Sequence, residues 1–258
     1  MNTASLHVLL LAAGGASRFG SPKQLAPLQG RPLLQHALAA ALSVGGTAVT
    51  VVLGHAAAQI APGLGTSGAT VLVHRGWSEG IGSSIRAGVA SLSGHCAGVL
   101  ILLGDQPRVR AEGLARLIDA WRRQPRGIVA SRYAGIAGVP AIFPRWCFSE
   151  LTQLRGDQGA RALLHRFPDH ITLVEHPEAA TDIDSTADLA ALDGAGGPVT
   201  ALAPDAAAAS VVSLALVTPV APDTPATPVT LDTSDTPVAS VTPGTSAAPA
   251  TPLLRLSD

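Results

Sequence analysis

Of the chain's 17 lysines and arginines, Lys23 alone is lysine. Where a guanidinium serves everywhere else, one compact ammonium with freely rotating donors suggests a specific anionic partner, such as a phosphate. Its surroundings support that reading. The stretch Leu6–Leu25, LHVLLLAAGGASRFGSPKQL, runs from an apolar segment into Ala12-Ala13-Gly14-Gly15-Ala16-Ser17, almost without side chains. A phosphate can approach a backbone only where Cβ atoms are small or missing, and glycine permits the conformations that turn successive N–H groups inward. Arg18 and Lys23 place mobile positive charge beside that cradle.

Four further groups carry candidate chemistry. Asp105, in Gly104-Asp105-Gln106-Pro107, follows an apolar strand-like run and suits Mg²⁺, which favours one or two carboxylates together with phosphate oxygens. Asp182 and Asp184, in Thr181-Asp182-Ile183-Asp184-Ser185, offer a second carboxylate, and either could instead cap the helix expected from Thr186. The patch Glu79-Gly80-Ile81-Gly82-Ser83-Ser84 places backbone donors and hydroxyls at a helix start, suited to an anion or a nucleobase edge. Gly138, Pro140, Arg155, Asp157 and Arg161 form a late cluster. In it the arginines could meet an acidic acceptor, while Asp157 could cap a helix. Arg86 reads as a solvated charge and Trp77 as core. The eight histidines show no HxxxH or HExxH spacing and receive no zinc role.

The elements that must position these groups alternate. Strands are expected at Leu6–Leu11, 47–53, 69–74, 98–103, 127–131, 139–143 and 171–175. Helices are expected between them, one of them from Arg31 to Ser43. Such alternation implies an α/β fold: a Rossmann-like, mostly parallel sheet flanked by helices, with ligands at the carboxyl ends of the strands. The loop after Ala12 and Asp105 both fall at such ends.

Residues 1–194 read as one α/β domain. From 195 to 258 the composition turns to Ala, Pro and Thr with no aromatic side chain and six Thr-Pro dipeptides, the signature of a disordered tail. Within it, Val211–Val217 could pair as an edge strand. A net charge of −1 and a pI near 6.7 argue against a nucleic-acid partner held by phosphate neutralisation. The opening apolar run is too short to span a membrane and lacks a basic leader, so a cytoplasmic protein is expected. Cys96 and Cys147, without CxxC spacing, read as buried reduced thiols.

These motifs carry a resemblance. LAAGGASRFGSPKQL resembles the LAAGxGxRMGxxK loop of nucleotidyltransferases, with Phe19 in place of Met. WSEGIGSSIRAGV, ILLGDQP, GVPAIFP, LRGDQGARALL and DIDSTADL are similar to the molybdenum cofactor cytidylyltransferase branch, over about residues 5–193. The resemblance implies transfer of CMP from CTP to molybdenum-bound molybdopterin with release of pyrophosphate. Leu11, Ala12, Ala13, Gly14, Gly15 and Arg18 would hold the triphosphate, with Gly80, Ser83 and Ser84 on the nucleotide and Lys23 at the α-phosphate. Asp105 and Asp184 would hold Mg²⁺, or Mn²⁺ in its place. Guanylyl-transferring relatives carry Ala-Gly-Gly where this chain has Ala12-Ala13-Gly14, which favours CTP. The partner downstream would be a molybdoenzyme of the xanthine dehydrogenase type or its chaperone. The competing readings are guanylyl transfer, a sugar-phosphate acceptor, a cofactor-delivery module and a dinucleotide-binding oxidoreductase. The last lacks its GxGxxG opening and an acidic end to the second strand.

Overall fold

Long runs of Leu, Val and Ile without polar alternation make strands that are covered on both faces. In the computed structural model, which describes residues 5–15, 19–45, 48–65, 67–194 and 214–217, these runs build the centre of one sheet. The chain begins with β1 (Leu6–Ala12), a small hairpin of β2 (Pro27–Leu28) and β3 (Arg31–Pro32), α1 (Leu33–Gly45) and β4 (Val49–Leu53). Next come α2 (Ala57–Ile60), β5 (Thr70–His74), α3 (Ile81–Ala90), β6 (Gly98–Leu103) and α4 (Ala111–Arg123). β7 (Ile128–Tyr133), β8 (Ile136–Pro144), α5 (Phe148–Leu151), α6 (Arg161–Arg166), β9 (Ile171–Glu175), α7 (Thr186–Gly194) and β10 (Leu214–Val217) complete it.

The strand order is β10-β5-β4-β1-β6-β8-β7-β9. Only β8 runs against its neighbours, pairing antiparallel with both β6 and β7. The expected mostly parallel α/β sheet is therefore observed. β10 joins β5 in parallel, Leu214 opposite Val71, so the sheet takes one strand from beyond residue 194. The rest of the expected disordered tail lies outside the described residues, as does Arg18.

Two turns depart from the sequence expectation. Arg31 and Pro32 pair with Leu28 and Pro27 instead of opening a helix. Gln29 and Gly30, at φ of 50° and 76°, fold the chain back just before α1, as a two-residue hairpin turn requires. Ala134 and Gly135, at 47° and 76°, do the same between β7 and β8, so both strands extend beyond the expected 131 and 139.

β1 divides the core by alternation. Val8, Leu10 and Ala12 pack with Leu34 and Leu38 of α1 and Leu117 and Trp121 of α4. Leu9 and Leu11 pack with Ile85 of α3, Leu151 of α5 and Leu163 of α6. With both faces covered, β1 is held rigidly, and its carboxyl end gives the following loop a fixed origin. A separate cluster of Leu28, Leu33 and Ile183, with Phe19, Leu189 and Leu192 against it, seats α7 on the hairpin and brings the 182–185 segment beside Lys23. No helix among the described residues is long and apolar enough to cross a membrane. Cys96 and Cys147 are buried and unpaired, and burial pushes the Cys147 thiol up to about 12.

Candidate active site

The carboxyl ends of β1 and β6 meet at a cavity of about 390 Å³. The loop Leu11–Gly15 floors it, Leu103–Asp105 forms one side, and Trp77, Ser78, Gly80, Ile81 and Ser84 form another. Lys23, Gln24 and Asp157 complete the lining. Gly14 and Gly15 leave their backbone open. A Cβ on Gly14 would meet nothing, and one on Gly15 would meet the edge of Trp77 at 3.3 Å and the His55 ring at 3.7 Å.

Lys23 opens a short 3₁₀ turn, Lys23–Leu25, that lays its ammonium between two loops. Nζ donates to Asp105 Oδ2 at 2.7 Å, to the Ile183 carbonyl at 3.0 Å and to Asp184 Oδ1 at 3.4 Å. Three donors thus meet three oxygens. Burial by itself would lower the Lys23 pKa. The Asp105 carboxylate, and then Asp184, outweigh it and hold the ammonium above its ordinary value. Asp105 Oδ1 is buried with no hydrogen-bond partner among the described residues, an acceptor left over for another donor or a cation.

Neither candidate for the second carboxylate is used up in capping. Ser185 and Asp188 cap α7 reciprocally: Asp188 Oδ2 accepts from the Ser185 N–H and hydroxyl, both at 2.8 Å, while Ser185 Oγ accepts from the Asp188 N–H at 3.2 Å. Neither Asp182 nor Asp184 is therefore the cap, contrary to one sequence alternative, because Ser185 and Asp188 form a capping box. Asp184 projects with its side chain 66% exposed beside Lys23. Asp182 is solvent-exposed at its rim, yet protein crowds its carboxyl. Burial raises its pKa, Asp105 and Asp184 raise it further, and Gln106 and Lys23 oppose them. Among the described residues no three His, Cys, Asp or Glu side chains form a ready metal cluster.

The Gly80 patch is held by close backbone packing. Gly80 sits at φ 117°, and a Cβ there would run into the Gly156 carbonyl. The Gly82 N–H donates to that same carbonyl at 2.9 Å. Ser83 is engaged internally, its Oγ within hydrogen-bonding distance of the Gly76 and Gly80 carbonyls and His74 Nε2. It pins the turn and does not line the cavity, whereas Ser84 does. Arg86 is no solvated charge. It forks onto Glu79 at 2.6 and 2.7 Å and holds that carboxylate at about 2.

The late cluster divides. Asp157 is exposed, lines the cavity beside Gly80 and does not cap α6. Arg155 and Arg161 are exposed outside the cavity lining. Gly138 and Pro140 are buried: a Cβ on Gly138 would strike the Tyr133 hydroxyl, and the Pro140 carbonyl accepts from Ser131 Oγ at 2.7 Å. Both lie in β8 and present nothing to this cavity.

Sequence reasoning missed Gln24, Ser78 and the wall made by Trp77 and His55, whose rings meet edge-on at 5.1 Å. Trp77 is half-buried against the glycine loop, partly core and partly cavity lining. Gln24 works on main-chain carbonyls and leaves no motif beyond its place next to Lys23.

Residues 8–173 match the family model of the MobA-like NTP transferase domain. The chain belongs to this family. Nicotine blue oxidoreductase of Paenarthrobacter nicotinovorans is 30% identical over 190 residues, 69% of this chain and 91% of that protein. The bifunctional protein GlmU of Xylella fastidiosa (strain 9a5c) is 34% identical over 139 residues, 53% of this chain. The match takes in only 30% of GlmU's length. The crystal structure of Rv0371c from Mycobacterium tuberculosis H37Rv superposes with a TM-score of 0.65 at 31% identity, covering 75% of this chain and all of that one. A structure of the same protein in complex with manganese gives 0.62 at 30% identity, over 74% and 100% of the two chains. The MobA-like NTP transferase fold is thus matched from the glycine loop through β9.

Proposed function

We propose that this MobA-like NTP transferase is a CTP:molybdopterin cytidylyltransferase, which moves CMP from CTP onto the phosphate of molybdenum-bound molybdopterin and releases pyrophosphate. The observation that carries the reading is the Lys23 ammonium held between Asp105 and Asp184 at the edge of a loop nearly free of side chains. A redox pocket has no need of that arrangement, whereas displacement at a phosphorus needs charge neutralised around it. The loop Ala12-Ala13-Gly14 supports cytosine over guanine, since guanylyl-transferring relatives resemble Ala-Gly-Gly there.

The residues fit a divalent cation. Two carboxylates already enclose one positive charge, and Asp105 Oδ1 is a buried oxygen without a partner among the described residues. Asp105 and Asp184 would hold Mg²⁺ or Mn²⁺, which when bound neutralises the phosphate oxygens and makes pyrophosphate a better leaving group. The glycine-loop N–H groups and Lys23 bind and orient the triphosphate. An oxygen of the acceptor phosphate attacks the α-phosphorus, a new P–O bond forms, and the bond to pyrophosphate breaks. That phosphate is already anionic, so no side chain need remove a proton, and catalysis is positioning with charge neutralisation. Asp157, Arg155 and Arg161 flank the side from which the acceptor enters in this reading. Gly80 and Ser84 bound the nucleotide.

Pyrophosphate release with Mg²⁺ and molybdenum-loaded molybdopterin, compared across CTP, GTP, ATP and UTP, tests the assignment. Release with CTP alone is expected. Release with GTP would overturn the base assignment and leave the chemistry. Release with a sugar phosphate in place of the pterin would overturn the acceptor. Silence with every nucleotide, from folded protein that oxidises a nicotinamide cofactor, would move the chain to the redox reading that its Paenarthrobacter relative's name carries.

A further inference from the structure

An anion can rest on a main-chain loop only if the loop's carbonyl oxygens are turned away, because each is a partial negative charge that would face it. Here every carbonyl from Leu11 to Gly14 is taken from behind. Leu11 accepts from the Gly104 N–H at 2.9 Å and Ala13 from the His55 N–H at 3.0 Å. The other two go to one side chain: Gln24 Nε2 donates to Ala12 O at 3.0 Å and to Gly14 O at 3.1 Å. Gln24 is 4% exposed. Its amide orientation follows from its neighbours, since only an NH₂ can satisfy two carbonyls at once. The price is visible at its other end, where Oε1 is buried without a partner among the described residues.

In a trans peptide the N–H points opposite the preceding C=O. Drawing the Ala12 and Gly14 carbonyls onto Gln24 therefore turns the N–H groups of Ala13 and Gly15 away from it. Among the described residues no backbone carbonyl accepts from Gly14 or Gly15.

We propose that Gln24 is the positioning residue of the phosphate cradle, setting the peptide planes of Ala12–Gly15 so that their N–H groups are free for the polyphosphate. It acts on the ligand through those peptide planes. The inference rests on the reading of this loop as a triphosphate site, and it goes further by naming the side chain that makes the loop anion-selective. A lysine beside a loop whose carbonyls faced outward would attract a phosphate and then fail to hold it.

The test uses the full chain and two shape-preserving variants. Gln24→Met keeps the bulk and removes both donors. Gln24→Glu keeps the shape and sets acceptors against two carbonyls. Binding of inorganic tripolyphosphate, CTP and cytidine is measured by calorimetry, with thermal melting alongside. For folded Gln24→Met, the affinity for tripolyphosphate and CTP is expected to fall roughly ten- to a hundredfold, the scale of misaligned charge-assisted hydrogen bonds. Cytidine binding should change little, and Gln24→Glu should lose more than Gln24→Met. A merely structural glutamine would instead lower the melting temperature and weaken all three ligands alike, or none. Equal tripolyphosphate affinity in folded Gln24→Met would overturn the role of Gln24 while leaving the site intact. A wild-type chain that binds no polyphosphate would overturn the site itself and the inference with it.

Discussion

Lys23 Nζ and Asp105 Oδ2 lie 2.7 Å apart, across 82 residues of sequence. The contact joins the loop after β1 to the loop after β6, the two places where neighbouring parallel strands deliver their ends to one edge. Both side chains are largely buried, at 17% and 23% exposure, so the pair is less screened than one on the surface. Lys23→Ala would leave Asp105 and Asp184 facing each other without a cation. Asp105→Ala would remove the acceptor that fixes the ammonium. Each is expected to lower turnover by about 10²- to 10³-fold, the scale of losing one fixed charge-stabilising group, with the far-UV spectrum unchanged. Wild-type turnover in a folded Lys23→Ala protein would remove Lys23 from the chemistry.

The two neighbouring aspartates should separate in metal binding. Asp184 projects toward Lys23, while Asp182 sits among Asp105, Gln106 and Tyr133 with a raised pKa. Titration of the CTP complex with Mn²⁺, followed by electron paramagnetic resonance, should show weaker binding in Asp105→Asn and Asp184→Asn. Asp182→Asn should stay near wild type. The reverse ranking would give the second ligand to Asp182.

Gly80 should not tolerate even a methyl group. Its φ of 117° is a conformation costing other residues about 1–3 kcal/mol, and a Cβ there would also meet the Gly156 carbonyl. Gly80→Ala is expected to lower the melting temperature and to displace the 155–158 loop with Asp157, weakening CTP. Gly94→Ala is the control, because a Cβ there meets nothing. Equal melting of the two variants would contradict the packing described.

Acid should destabilise the fold in two windows. Burial lowers the pKa of His7, His74 and His176 from the ordinary 6.5. His176 is further enclosed by Ser131 Oγ, 3.0 Å from its Nδ1. Groups lowered by folding leave stability intact above 6.5. Stability is then lost as pH falls toward their folded values, because the unfolded chain takes up protons first. Glu79, held at about 2 by Arg86, adds a second loss beginning below its ordinary 4.5. Asp182, raised by burial, acts in the opposite sense and gains stability on acidification. Melting curves between about pH 8 and 3 should fall in these two steps. His176→Gln should flatten the upper one. A melting temperature unchanged from pH 8 to 5 would contradict the buried neutral histidines.

What the sequence carried was set by side-chain type. The run Leu6–Leu11, apolar apart from His7, the small residues after it, the solitary Lys23 and Asp105 at a strand end all follow from which residues a covered strand or an anion site tolerates. Strand direction was not legible for β8, since an apolar run packs equally well either way and the Ala134-Gly135 turn lacks an asparagine or aspartate signal. Tasks performed on the backbone were also hidden. Gln24 holding two carbonyls and Ser83 pinning a turn have no period or spacing that marks them, whereas Ser185-Thr186-Ala187-Asp188 does carry the Ser-x-x-Asp spacing of a capping box. Arg86 looked solvated because its partner Glu79 stands outside α3, seven residues away.

The most direct measurement is the fate of the α-phosphate. The full chain is incubated with Mg²⁺, molybdenum-loaded molybdopterin and CTP labelled at the α-phosphorus, with Lys23→Ala in parallel. The account predicts that label moves to the pterin with one pyrophosphate released per label transferred, and that Lys23→Ala slows this transfer about 10²- to 10³-fold. Label remaining in CTP while the folded wild-type chain binds both substrates would contradict it.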